Sequence, residues 1–204
     1  SEYGAIEYSK TLANAVKKYK LDGISFDDEY SNYGQLSGEW FESASAENAS
    51  RLLYYTKESM KEIVPWDTYT MVYYYGNINS SLPRFNGVAP GNYVDIAVAD
   101  YPIKKAAPMS GMTKKQCSGG SVEMNLGSGS SPSDAINIKN SGYGWMMWFS
   151  YNPVKKPDNV AALQTAAKGL YDGMKLMTPQ YVYKKATMGT HNNDFDPNPY
   201  PFAW

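Results

Sequence analysis

The sequence predicts an α/β fold with a parallel sheet. Segments rich in β-branched and aromatic residues alternate with segments of helical spacing, and this alternation is typical of β/α units. One of the strand segments ends in three consecutive acids, Asp27, Asp28 and Glu29. Acids at the carboxyl end of a parallel strand lie where enzymes of barrel architecture carry out their chemistry. The two observations together favour an enzyme built on a β/α sheet.

Apolar residues at helical spacing predict four helices, at residues 4–20, 46–64, 133–139 and 158–173. Ser45 and Asp158 are suitable caps for the second and fourth helices, and Pro65 ends the second. The first helix has lysines in its last turn, which favour a helix end because they offset its dipole.

Runs of β-branched and aromatic residues predict five strands, at residues 21–29, 68–75, 93–101, 119–126 and 144–151. The Gly/Ser-rich residues 127–133 are predicted to form a loop after the fourth strand.

Side chains alternate between the two faces of a strand. One face of the first strand carries Ser25, Asp27 and Glu29, and the other is apolar until Asp28. Carboxylates two residues apart on a strand have Cα atoms roughly 6–7 Å apart, so one raises the pKa of the other, as a general acid with a charged helper requires. The alternative is a solvated strand end or a cap for the following helix.

The segment Asp22 to Glu29 resembles the signature of glycoside hydrolase family 18, Asp-Gly-x-Asp-x-Asp-x-Glu. The resemblance is greatest to its endoglycosidase H-like branch of endo-β-N-acetylglucosaminidases. That branch carries Phe-Asp-Asp-Glu-Tyr, as residues 26–30 do here, followed by a Tyr-Gly pair like that at 33–34. The resemblance implies that Glu29 is the general acid/base and that Asp27 orients the 2-acetamido group of the substrate. Ser25 departs from the signature, which has its first Asp there.

Other site residues follow from the same resemblance. Tyr101 matches, by spacing, a tyrosine whose hydroxyl meets the acetamido group, whereas Ala99 stands where the branch usually has Asn. Trp148, near the end of the last strand, is the candidate for the tryptophan that family chitinases place under the sugar. Asp28 is counted with Ser25 and Trp148 among the candidate substrate-binding residues. For Tyr101 and Trp148 the alternative is packing alone.

The resemblance implies a (β/α)8 TIM barrel of which this chain supplies strands four to eight, because the family places its acids at the end of strand four. Residues 1–189 then form the C-terminal part of the glycosidase domain, and residues 190–204, rich in Asn, Asp and Pro, form an extended tail. A second chain or an N-terminal segment would complete the barrel. Hence we expect exposed edges at the first and last strands.

The implied reaction is retaining, substrate-assisted hydrolysis next to N-acetylglucosamine, most simply in the chitobiose core of N-linked glycans. A non-catalytic glycan-binding protein on a degenerate barrel and a chitinase are the alternatives. The expected partner is therefore an N-acetylglucosamine-containing glycan or glycoprotein. The resemblance implies no metal or organic cofactor, and a secreted, periplasmic or cell-surface location.

Composition limits the other function classes. The 204 residues carry a formal net charge of −1, so no basic patch indicates nucleic acid. No apolar run approaches the roughly 18 residues of a membrane span, and residues 1–4 do not begin a signal peptide. His191 is the only histidine and Cys117 the only cysteine, which disfavours zinc and an internal disulfide.

Overall fold

The structure is a computed structural model that describes residues 1–28, 46–74, 82–100, 105–152, 156 and 158–171. The predicted tail, 190–204, lies outside the described residues. The helices are α1 (Glu2–Tyr19), α2 (Ala46–Ile63), α3 (Ala135–Asn140) and α4 (Asp158–Leu170). The strands are β1 (Gly23–Asp28), β2 (Tyr69–Tyr74), β3 (Ile96–Ala99), β4 (Ser118–Glu123), β5 (Ser128–Gly129) and β6 (Trp145–Phe149). The α/β class and all nine predicted elements are confirmed, and β5 is an addition to them.

The described strands pair mainly in parallel. β1, β2 and β3 form one parallel sheet in chain order. β4 pairs in parallel with β6 and antiparallel with the short β5. A parallel bridge between Ala97 and Cys117 connects the two sheets. The predicted parallel arrangement therefore holds from β1 to β6, and β5 folds back within the segment that the sequence predicts as a loop.

β3 is shorter than predicted because a 3-10 turn precedes it. Pro90–Asn92 forms this turn, and the N–H of Tyr93 still donates to the carbonyl of Pro90. Proline fixes its φ and favours such a turn. Tyr93 is 1% exposed and donates its hydroxyl to the carbonyl of Pro83. The β-branched and aromatic pattern at residues 93–95 thus marks a buried turn and not the start of the strand.

α1 begins at an N-cap, Ser1, whose side chain accepts a hydrogen bond from the Gly4 N–H. α1 packs against α2, where the buried Ser9 hydroxyl lies 3.1 Å from that of Thr56. An apolar cluster joins both helices to β1; its buried members are Ala13, Val16, Met60 and Val64, with Ile24 packed against them. One face of β1 is therefore covered by helices.

Gly23 permits the close approach of β1 to β2. Its φ is +155°, and a Cβ there would lie 1.9 Å from the carbonyl oxygen of Tyr69. The Tyr69 N–H donates to the carbonyl of Asp22 across the same contact. The close approach of the two backbones thus explains why the second residue of the Asp-Gly pair before the acids is glycine.

A partly buried ion pair connects α2 to the sheet. Lys57 Nζ lies 2.7 Å from Asp95 Oδ2 and donates to the carbonyl of Thr68 at 2.7 Å. Asp95 Oδ2 also accepts from the Thr70 N–H at 2.7 Å. Removal of one partner of such a pair leaves a charge with poor solvation.

Lys57→Ala is therefore expected to lower the free energy of unfolding by about 2–3 kcal/mol. The loss stays below that of a fully buried pair because the Asp95 side chain is 29% exposed. Urea denaturation followed by circular dichroism measures it. Lys61→Ala, one turn further along α2, is the matched control because its pair with Glu58 is about half exposed. It should cost less than about 0.5 kcal/mol, and equal losses from the two variants would contradict this role of Lys57.

Candidate active site

The side chains of β1 alternate between the two faces of the strand, as the sequence predicts. Ser25 and Asp27 are exposed, whereas Ile24, Phe26 and Asp28 are half-buried. Ile24 and Phe26 each pack against an apolar cluster that contains side chains of α2. We call the surface that carries Ser25 and Asp27 the acid face, and the opposite surface the helix face. Asp28 belongs to the helix face, behind the strand and not beside Asp27.

Glu29, the predicted acid/base, and Tyr101 lie outside the described residues. The structure thus shows where Asp27 and Ser25 lie, and the roles of all four residues stay predictions.

The strand register extends the acid face across β2 and β3. Asp27 is in register with Tyr73, and Tyr73 with Val98. The Tyr73 hydroxyl donates to the carboxylate of Asp100, which directly follows β3 and is 2% exposed. A tyrosine and a second, buried carboxylate therefore lie on the acid face near Asp27, and the sequence analysis missed both.

Ala99 belongs to the other surface. It is in register with Tyr74, which is itself in register with Asp28. Its side chain is fully buried in the apolar cluster of the helix face against which Phe26 packs. Ala99, at the position where the branch usually has asparagine, is therefore part of the cluster on the helix face.

The bridge between Ala97 and Cys117 relates β4 and β6 to these faces. Both residues are fully buried in the cluster on the helix face. The next residue, Ser118, then lies on the acid face, and it is in register with Trp145. Alternation along β6 adds Met147 and Phe149 to the acid face.

Trp148 lies on the opposite surface from these residues, in register with the buried Val122, and is half-buried. Phe149, which ends β6, is 54% exposed and in register with Glu123, which is 3% exposed. The exposed aromatic residue at the carboxyl end of β6 is thus Phe149, whereas Trp148 lies on the other surface of the strand. The sugar-binding role of Trp148 stays a prediction.

A bulge interrupts the alternation of side chains along β4. Ser118 and Ser121 are three residues apart on β4, but their partners on β6 are two residues apart. The two glycines between them face Ile138 of α3, where a Cβ on either would come within 2.6 Å of that side chain. Glycines allow the bulge and the close packing of α3 at the same position.

The other reactive groups of the described chain are poor candidates for catalysis. Cys117 is fully buried, and burial raises the pKa of its thiol, which lowers the fraction of thiolate at neutral pH. Within the described ranges, no cluster of three His, Cys, Asp or Glu side chains is arranged to hold a metal ion. His191 is outside these ranges. No described helix is both long and apolar enough to cross a membrane.

Comparison with known proteins finds similarity to part of two endo-β-N-acetylglucosaminidases. The chain is 33% identical over 183 residues to endo-β-N-acetylglucosaminidase F1 of Elizabethkingia meningoseptica, covering 87% of this chain and 52% of that protein. No model of a known protein family matches the chain.

Two solved structures of Bacteroides thetaiotamicron EndoBT-3987 also match. The structure with the Man5GlcNAc product has a TM-score of 0.70 and 38% identity, over 84% of this chain and 39% of that one. The structure with the Man9GlcNAc2Asn substrate has a TM-score of 0.70 and 37% identity, over 84% of this chain and 42% of that one. The chain thus spans about half or less of the length of the relatives that it matches. It is homologous to part of endo-β-N-acetylglucosaminidase F1 and has the α/β fold of the matching part of EndoBT-3987.

Proposed function

We propose that the protein is an endo-β-N-acetylglucosaminidase that cleaves within the chitobiose core of N-linked glycans. The observation that carries the proposal is the position of Asp27, exposed at the carboxyl end of a parallel strand, in a chain 33–38% identical to endoglycosidases. One of these relatives was solved with Man9GlcNAc2Asn, which is an N-glycan with its asparagine. The partner is therefore an N-acetylglucosamine-containing glycan or glycoprotein.

The proposal includes a (β/α)8 TIM barrel of family 18, of which β1, β2, β3, β4 and β6 are strands four to eight. Three features support it. These strands follow one another in chain order, β1 and β6 each have one strand neighbour among the described residues, and aromatic side chains of the acid face are exposed. Three further strands, from an N-terminal segment or a second chain, would pair with both edges and cover that face. Residues 1–189 would then form the C-terminal part of the glycosidase domain.

In the proposed mechanism Glu29 and Asp27 have different roles. Glu29 protonates the leaving oxygen and later deprotonates the attacking water. The acetamido oxygen of the substrate is the nucleophile, an exception to the scheme of two enzyme carboxylates. Asp27 orients the acetamido group and stabilises the positive charge of the oxazolinium intermediate. Tyr101 donates a hydrogen bond to the acetamido group, and no metal or organic cofactor takes part.

The surrounding acid face supplies the sugar-binding surface. Phe149 presents an exposed ring at the carboxyl end of β6, and aromatic faces suit the C–H surfaces of sugars. Ser25 precedes Asp27 on the same face and offers a neutral hydroxyl where the family has a carboxylate. A secreted, periplasmic or cell-surface location follows from this substrate class and belongs to the proposal.

A non-catalytic glycan-binding protein is the second candidate. Ser25 favours it, because the family signature has a carboxylate at this position. Asp27 and Glu29 oppose it, because a protein that only binds glycans has no need of the acid or of the charge beside it. A chitinase uses the same catalytic groups and differs in its substrate.

Incubation with a high-mannose glycopeptide and, separately, with a chitin oligosaccharide distinguishes the three candidates. An endo-β-N-acetylglucosaminidase releases the glycan from the glycopeptide and leaves the chitin oligosaccharide largely intact. Cleavage of the chitin oligosaccharide alone would favour the chitinase. Binding of the glycopeptide without release would favour the glycan-binding protein.

A further inference from the structure

A hydrogen bond between β2 and the residue that follows β3 crosses the acid face. Tyr73 donates its hydroxyl to Asp100, whose side chain is almost completely buried. Because Tyr73 is in register with Val98, its ring must lean towards the carboxyl end of β3 to reach Asp100. The tyrosine therefore lies along the rim of the sheet where Asp27 is exposed.

Tyr73 is also the partner of Asp27 across the β1–β2 pair. The two residues are in register on neighbouring parallel strands, so their Cα atoms are about 4.8 Å apart and their side chains share a face. Tyr73 is therefore the neighbour of Asp27 on the β2 side of the acid face.

A buried carboxylate at this position is costly for folding. Its charge loses hydration, and an apolar residue of similar size would fill the space at lower cost. The hydrogen bond to Tyr73 offsets part of the loss. We therefore expect the Tyr73–Asp100 pair to have a function. That function requires Asp100 as a hydrogen-bond acceptor and a fixed orientation of the Tyr73 ring.

We propose that Asp100 is a positioning residue that acts through Tyr73. By accepting the hydroxyl, Asp100 fixes the Tyr73 ring on the acid face next to the strand of Asp27, and the ring forms one wall of the subsite for the N-acetylated sugar. The inference rests on the proposed function, since Asp27 is assigned there to the acetamido group. Tyr73→Phe keeps the ring and removes its anchor, whereas Asp100→Asn keeps an oxygen that accepts the same hydrogen bond.

The test compares kcat and KM for a glycopeptide among four variants of the full-length protein. Tyr73→Phe and Asp100→Ala should each lower kcat about 10-fold and raise KM by the same factor as each other, because both displace the ring that forms a wall of the subsite, and small displacements at a catalytic site reduce the rate. Asp100→Asn should recover kcat to within about threefold of the original protein. The Tyr73→Phe/Asp100→Ala double variant should be no slower than either single variant, since both act through one contact.

Tyr69→Phe is the matched control. Tyr69 is on the same strand, at its other end, and is 49% exposed, so the variant should keep the original kcat. Unchanged kcat in Tyr73→Phe would overturn the proposal. An Asp100→Asn variant as slow as Asp100→Ala would also overturn it, because the charge of Asp100 would then matter and not its role as an acceptor.

Glycan binding separates this inference from the proposed function. If the original protein cleaves glycopeptides and the variants match it, the positioning role fails and the function stands. If the original protein binds a Man5GlcNAc oligosaccharide without cleaving glycopeptides, the proposed activity fails. Equal weakening of binding by Tyr73→Phe and Asp100→Ala, with recovery in Asp100→Asn, would then still support the pair. A protein that neither cleaves nor binds would overturn both.

Discussion

Glu29→Gln is expected to lower kcat by about 10²–10⁴-fold, the usual contribution of a general acid/base. Glutamine keeps the size and hydrogen-bonding capacity of the side chain but has no proton of suitable acidity for the leaving oxygen. Glycan binding should persist, because the change removes an interaction of the transition state and not of the ground state. Single-turnover release of glycan from a glycopeptide, with binding measured by calorimetry, tests both parts.

Glu62→Gln is the matched control for this prediction. Glu62 is exposed on α2, remote from the acid face, and the same chemical change there should leave kcat unaltered. Retention of more than about a tenth of the original activity by Glu29→Gln is incompatible with the general acid/base role, which is worth at least about 10²-fold.

Asp27→Asn is expected to lower kcat by about 10²–10³-fold, the effect of losing one preorganised group that stabilises transition-state charge. Asparagine retains the shape of the side chain but not the negative charge that opposes the oxazolinium. Because Asp27 is exposed at the strand end, the substitution should leave the unfolding transition nearly unchanged. Steady-state kinetics and thermal unfolding of the same preparation measure the two effects.

The control for Asp27→Asn is Asp67→Asn. Asp67 is exposed in the turn before β2, at the opposite end of the strands, and its substitution should alter neither kcat nor KM. A rise of KM with constant kcat in Asp27→Asn would instead assign Asp27 to ground-state binding, and the proposed stabilisation of the intermediate would be abandoned.

Local patterns predict the elements of this fold well. The acids follow an alternating strand, so the exposed Ser25 and Asp27 and the half-buried Ile24 and Phe26 could be assigned to faces before the structure was known. Helical periodicity likewise places α1 and α2 within two residues of their observed ends. These features depend only on the repeat of apolar and polar residues within one helix or strand, and that repeat can be read from a single sequence.

Relations between elements could not be predicted in the same way. Trp148 was chosen for its place near the end of β6, but which surface of β6 shares a face with Asp27 depends on the bridge between β3 and β4 and on the register of β4 with β6. The hydrogen bond between Tyr73 and Asp100 likewise depends on the register of β2 with β3, which the sequence does not indicate. Such contacts join residues far apart in sequence and leave no periodic signal.

The central claim is that the acids at the end of β1 cleave the chitobiose core of an N-glycan. Mass spectrometry of an N-glycoprotein, after incubation with the full-length protein, tests this claim most directly. The account predicts loss of the glycan with one N-acetylglucosamine left on each modified asparagine, and an unaltered glycoprotein with Glu29→Gln. A glycan that stays intact with the original protein, or an asparagine that retains no sugar at all, would contradict it.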